Sequence, residues 1–171
     1  MTRYATFLRG VNVGGVNLKM AEVAKALEDA GFTDVRTILA SGNVLLDSSS
    51  PAKKVRSTAE KALRDAFGYE AWVLVYDLKT VAAISAGYPF EREVEGHHSY
   101  VTFVSDPDVL DELAGLPAAP DEKIERGDGV LYWQIARNAT LGSTIGKTMG
   151  KKRYKSSTTT RNLRTLEKVL R

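Results

Sequence analysis

Val35-Arg-Thr-Ile-Leu-Ala-Ser-Gly-Asn-Val-Leu-Leu-Asp47 sets two short strand-like runs back to back. Val35 to Ala40 and Asn43 to Asp47 have the apolar, partly β-branched content of strands, and Ser41-Gly42 between them suits a tight hairpin turn. Helical patterns flank this hairpin. Upstream, Met20, Val23, Ala24, Leu27 and Ala30 recur at helical spacing, and Gly31-Phe32 fits a left-handed residue followed by an apolar one. Downstream, Ser50-Pro51 reads as an N-cap with proline at the first helical position. Ala52, Val55, Ala59, Ala62, Leu63 and Ala66 then keep one face apolar as far as Gly68. Beyond the helices lie two further strands, Tyr4 to Arg9 and Ala71 to Tyr76. The order β-α-β-β-α-β is that of the ferredoxin-like split βαβ unit.

The rest of the chain nearly repeats it. A connecting helix is predicted from an Asp77 cap to about Ala86, then a strand over Ser99 to Val104. Asp106-Pro107 caps a short helix to about Leu116. Glu122 to Arg126 and Val130 to Ala136 form a hairpin around Gly127-Asp-Gly129. Thr140 opens a helix to about Met149, and a last helix runs from about Arg161 to Leu170. The expectation is an α+β protein of two ferredoxin-like halves with antiparallel or mixed sheets and an extra C-terminal helix. The first half covers 1–76, the connecting helix and linker 77–98, and the second half, lacking its last strand, 99–171.

Composition limits what such a chain does. With 43% apolar and 26% charged residues among 171, a packed core is expected and disorder is not. The absence of cysteine excludes a disulfide scaffold, thiolate metal sites and cysteine nucleophiles. No apolar run approaches the roughly 20 residues that span a bilayer, and Arg9 interrupts the N-terminal run too early for a signal peptide. A soluble cytoplasmic protein is expected. The net charge of +3 is unevenly spread: residues 147–171 hold nine basic residues and one acidic, whereas 1–146 hold 15 basic and 20 acidic. A basic end on an acidic body points to an anionic partner, nucleic acid being the larger version of one.

Three segments carry candidate chemistry. Arg9-Gly-Val-Asn-Val-Gly-Gly-Val-Asn-Leu-Lys19 lies between a strand and a helix, where free backbone N–H groups favour an anion, and Gly10, Gly14 and Gly15 let backbone approach a ligand closely. Its glycine spacing is not the dinucleotide fingerprint. Ser41-Gly-Asn43 is a turn that can also aim the Ser41 hydroxyl and Asn43 amide at the same ligand. Thr158-Thr-Thr-Arg-Asn162 reads as a threonine N-cap opening the final helix, with Arg161 in a first turn whose dipole opposes a cation.

Other patterns fall short. Val44-Leu-Leu46 lacks the stacking aromatics of RNA-reading sheets. Leu141-Gly-Ser-Thr-Ile-Gly-Lys-Thr148 resembles a P-loop, but Leu141 stands where the first glycine is required and only 23 residues follow. Glu91, Glu93, Glu95 and His97 alternate beside His98 and would share a face if extended, but read better as a solvated connector than as a metal site. No metal, cofactor or Ser/His/Asp arrangement is read.

Taken together, Leu8-Arg-Gly-Val-Asn-Val-Gly-Gly15, Met20 with the helix to Gly31-Phe32, Val35-Arg-Thr37, Ser41-Gly-Asn-Val44 and Thr159-Thr-Arg-Asn162 resemble the bacterial family of domain of unknown function 1697. The resemblance covers nearly the whole chain. It implies two ferredoxin-like α+β halves and no reaction. The family usually has Ser-Lys-Leu where this chain has Gly146-Lys-Thr148, and often tryptophan where Leu163 stands. Both departures weaken any role assigned at those positions.

The resulting expectation is a protein that binds a phosphate-bearing small molecule or nucleic acid. Arg9, Gly10, Asn12, Gly14 and Gly15 cradle the anion, Ser41 and Asn43 orient it, and Lys147, Thr160, Arg161 and Asn162 close the site. Two alternatives use other chemistry: an enzyme acting on a phosphorylated small molecule in the same pocket, which lacks an obvious general base, or a protein-partner module without a small ligand.

Overall fold

The computed structural model describes residues 1–11, 17–92, 94–117, 122–137, 148, 151 and 154–171. They form two compact units, Met1–Ala82 with Lys168–Arg171, and Ala83–Glu167. The predicted helix from Thr140 to Met149 and its P-loop-like sequence lie outside the described residues, apart from Thr148.

In the first unit the order is β1 (Thr2–Leu8), α1 (Met20–Asp29), β2 (Thr33–Ile38), β3 (Asn43–Ser48), α2 (Ala52–Phe67) and β4 (Val73–Asp77). The antiparallel sheet runs β2-β3-β1-β4, the split βαβ arrangement. Tyr4 and Leu8 of β1, Val44 and Leu46 of β3, and Val73 of β4 form one apolar layer with Val23 and Leu27 of α1 and Val55 and Leu63 of α2. Helix α1 ends as its sequence foretells. Gly31 has φ 104°, its N–H donates to the Glu28 carbonyl at 3.0 Å, and the Phe32 N–H reaches back to Leu27 at 3.2 Å, a complete Schellman cap. Glu60, buried on α2, accepts from Arg56 Nε at 3.1 Å and from the Val73 N–H at 2.9 Å, which ties α2 to the start of β4.

Two local expectations are corrected here. The turn after β2 has four residues, 39–42, because Ile38 pairs with Asn43; Leu39, with φ 59°, has left the strand. The N-cap of α2 is Pro51, not Ser50. A proline φ near −68° serves the cap as well as the first helical turn, and the Pro51 carbonyl accepts from Lys54 and Val55.

The second unit repeats the plan with β5 (His97–Val104), α4 (Pro107–Ala114), β6 (Lys123–Arg126), β7 (Val130–Ala136) and β8 (Thr158–Asn162) in the order β6-β7-β5-β8. Helix α3 (Leu78–Ala86) precedes it, with its Thr80 N–H bonded to Asp77 Oδ1 at 2.7 Å, and α5 (Leu163–Val169) follows. Asp106 caps α4 by accepting from the Asp108 N–H at 2.9 Å. Leu110 and Leu113 of α4 pack with Leu131, Trp133 and Ile135 of β7.

Strand β8 overturns the expectation that this half lacks its last strand. Thr158 to Asn162 pair antiparallel with Val104 to Tyr100. The threonine run is therefore edge strand and not helix cap, as β-branched side chains favour. The helix starts at Leu163, with Asn162 Oδ1 accepting from the Arg164 N–H at 2.9 Å.

Candidate functional site

The residues singled out from sequence fall in both units. In the first, the end of β1 lies against the β2–β3 turn: the Leu8 N–H donates to the Gly42 carbonyl at 2.8 Å. A Cβ on Gly42, whose φ is 88°, would come within 2.7 Å of Val11 Cγ2 and 2.8 Å of Leu8 Cβ, so only glycine fits. Arg9 and Gly10 continue from β1, Gly10 with φ 73°, and burial lowers the Arg9 pKa from its ordinary value. Asn43 is buried and donates its amide hydrogens to the Ile38 carbonyl and Ser41 Oγ, each at 2.9 Å. The amide thus braces its own turn. Asn12, Gly14 and Gly15 lie outside the described residues, as does Lys147.

In the second unit, Thr160, Arg161 and Asn162 occupy β8. The expectation that Arg161 lies in the first turn of the final helix is corrected. It pairs opposite Val101, is 7% exposed, and donates to Thr159 Oγ1 at 2.7 Å and the Thr160 carbonyl at 2.9 Å. Thr160 Oγ1 lies 2.8 Å from Thr102 Oγ1, which accepts from Trp133 Nε1 at 2.9 Å. Of the described basic residues near the C-terminus, Lys151, Lys155, Arg164, Lys168 and Arg171 are exposed and Arg161 is buried; Arg164 also lines a cavity.

That cavity, about 120 Å³, is lined by Arg92, Val94, His97, His98, Ser99, Arg137, Asn162, Leu163, Arg164 and Glu167. Arg92 is anchored by the Ser85 carbonyl at 2.7 Å and by Glu167 Oε1 at 3.2 Å. Ser99 Oγ donates to the Arg92 carbonyl at 3.3 Å and accepts from Gln134 Nε2 at 3.1 Å. Arg137 follows β7; its N–H bonds to the Gly96 carbonyl at 2.9 Å, which holds the base of the arginine beside the histidine pair. His97 Nδ1 lies 3.0 Å from the Glu95 carbonyl oxygen. The His98 ring centroid is 5.3 Å from that of Tyr100, and Tyr100 is 4.6 Å from Trp133. Burial, reinforced by the positive charge of Arg137, lowers the His98 pKa.

Among the described residues, three guanidiniums and one carboxylate line this hollow, and it gathers donors fit for an oxyanion. Of the described residues expected from sequence it contains only Asn162. The histidine pair was visible as a pair, but the connector reading kept it outside the strand; β5 begins at His97. Arg92, Arg137 and Arg164 carry no motif. Among the described residues no group of three or more His, Asp and Glu is placed to hold a metal ion.

The family described as protein of unknown function (DUF1697) matches residues 1–132. The fold is similar to that of the solved structure of conserved bacterial protein SP0830 from Streptococcus pneumoniae, with a TM-score of 0.82 and 22% identity over 99% of this chain and 96% of that one. No curated protein matches the chain.

Proposed function

The chain belongs to the DUF1697 family, and we propose that it binds a phosphate-bearing anion through the arginine-lined cavity of its second unit. The observation that carries this reading is the convergence of Arg92, Arg137 and Arg164 on one hollow, with Glu167 the sole carboxylate lining it among the described residues. Guanidinium forks match tetrahedral oxyanions in geometry as well as charge. A volume of about 120 Å³ is well below the ~300 Å³ at which whole-ligand pockets begin, so the cavity suits the phosphoryl group of a larger molecule. We place the protein in the cytoplasm, where phosphorylated metabolites and nucleic acids are abundant. No helix among the described residues is long and apolar enough to cross a membrane.

Arg137 is the residue to test. It is exposed and forms no ion pair among the described residues, so Arg137→Ala should leave the ligand-free protein as stable as wild type. Thermal melts with inorganic phosphate and a panel of phosphorylated small molecules should show saturable stabilisation of wild type. At a hundredfold excess over Kd this amounts to about 2.7 kcal/mol, and the variant should lose most of it. A wild-type protein that no such anion stabilises would sink the reading. Oligonucleotide binding that falls steeply with salt and ignores Arg137→Ala would assign the anion to the basic end instead.

The cavity's two histidines favour one second reading, transfer or hydrolysis on the bound phosphate, because imidazole is the general acid–base that the loop motifs lack. Turnover of a phosphate monoester, lost in His97→Gln and His98→Gln, would support it.

A further inference from the structure

A carboxylate is the group that a simple anion site has least use for, yet Glu167 lines the second unit's cavity. It is held there by a guanidinium that is itself clamped. Arg92 Nη1 donates to the Ser85 carbonyl at 2.7 Å, and Nη2 donates to Ser85 Oγ at 3.2 Å. Ser85 is buried, so the clamp has a firm base. The same Nη2 donates to Glu167 Oε1 at 3.2 Å. Both terminal nitrogens of Arg92 are thus engaged by the protein, and one of them fixes a carboxylate at the cavity wall. Among the described residues no other hydrogen bond engages Glu167.

A carboxylate only accepts. Against the bare oxygens of a tetrahedral anion it has nothing to receive and adds like-charge repulsion. Against an anion that brings a hydrogen of its own, it accepts a charge-assisted bond. The donors nearby have no such requirement. Arg137 forms no ion pair among the described residues. The Asn162 amide, whose Oδ1 accepts from the Arg164 N–H at 2.9 Å, keeps its own N–H groups to give. Resting on the reading of this cavity as an anion site, we propose that Glu167 determines its specificity: the ligand is a phosphate that carries a hydroxyl donor beside its anionic oxygens.

Two sources supply that hydroxyl. Inorganic phosphate keeps a P–OH at neutral pH, and the phosphate ester of a polyol or sugar carries an alcohol on the carbon next to the ester. Sulfate and the phosphate ester of a plain alkyl chain have no such donor, and Glu167 repels them. An ammonium on the ligand fits less well than a hydroxyl, because Arg92 and Arg137 line the same cavity. Discrimination of this kind combines one new attraction with one built-in repulsion. The Glu167 side chain is 40% exposed, so water competes for it, and the expected margin is the low end for a hydrogen bond to a charged group, about tenfold.

Calorimetric titration of the full chain at neutral pH with inorganic phosphate, sulfate, glycerol 3-phosphate and propyl phosphate tests the proposal. The expected result is a preference of about tenfold for phosphate over sulfate, for glycerol 3-phosphate over propyl phosphate, or for both. The first ratio places the donor on phosphorus and the second on the carbon skeleton. In Glu167→Gln the amide keeps an oxygen for Arg92 and offers its N–H groups to the ligand, so the ratio should fall toward one as the donor-free anion gains affinity. Should that variant fail to fold, the Glu167 carboxyl carbon resonance of the wild type must shift with the preferred ligand and not with its donor-free counterpart. Ratios near one in the wild type, or a ratio that survives Glu167→Gln, overturn the proposal and spare the anion site. No binding of any of the four anions removes both.

Discussion

Arg161 illustrates how far one residue's meaning depends on the element that carries it. At a helix start it would be a cation opposing the dipole, and its removal would be neutral or slightly stabilising. On β8 it is 7% exposed, and its guanidinium satisfies Thr159 Oγ1 and the Thr160 carbonyl. Arg161→Ala should therefore lower stability by about 2–3 kcal/mol, from a cavity and from buried acceptors left without their charged donor. Urea unfolding would show it; a variant as stable as wild type would mean that the guanidinium contributes nothing net. Gly42 is the converse case. Its glycine identity was legible as turn chemistry, but the reason no other residue fits is the approach of Val11 and Leu8, which no local pattern announces.

At the scale of elements, the buried Glu60 makes a sharper prediction than any surface charge. Its carboxylate is the partner of the Val73 N–H at the first residue of β4, so Glu60→Ala strands a buried donor and should cost about 1–3 kcal/mol. Arg56→Ala, which leaves that bond in place, should cost less. Equal losses measured by denaturant midpoint would show that the ion pair, not the backbone bond, ties α2 to the sheet. What could be read from sequence was what is decided locally. The Gly31-Phe32 cap, the Asp106-Pro107 cap and the Asp77 cap each rest on neighbours within a few residues. Strand β8 was not legible, because threonine serves caps and strands alike and its partner Thr102 lies 58 residues away from Thr160. The cavity was hidden for the same reason. Arg92, His97, Arg137 and Arg164 meet only once β5, the end of β7 and α5 are assembled, and no spacing in the chain foreshadows that meeting.

Over the whole molecule the same strand order is built twice, β2-β3-β1-β4 and β6-β7-β5-β8, and each unit places tyrosines where ionisation is resisted. In the first unit burial raises Tyr76 to about 12, with Arg56 pulling the other way, and raises Tyr69 to about 12 against the pull of Arg64. In the second, burial raises Tyr88 and Tyr132. An unfolded tyrosine titrates near pH ~10. Between that value and about 12 the folded chain holds protons that the unfolded chain has released. The stabilisation is thus complete below pH ~10 and drains away as pH climbs through this window. Tyr76→Phe should lose about 1 kcal/mol less than wild type between pH 8 and 11, because phenylalanine has no proton to give up. Urea midpoints at the two pH values supply the comparison. Parallel losses in wild type and variant would mean that Tyr76 titrates alike in folded and unfolded chains, and that burial in the first unit's sheet does not hold its phenol neutral.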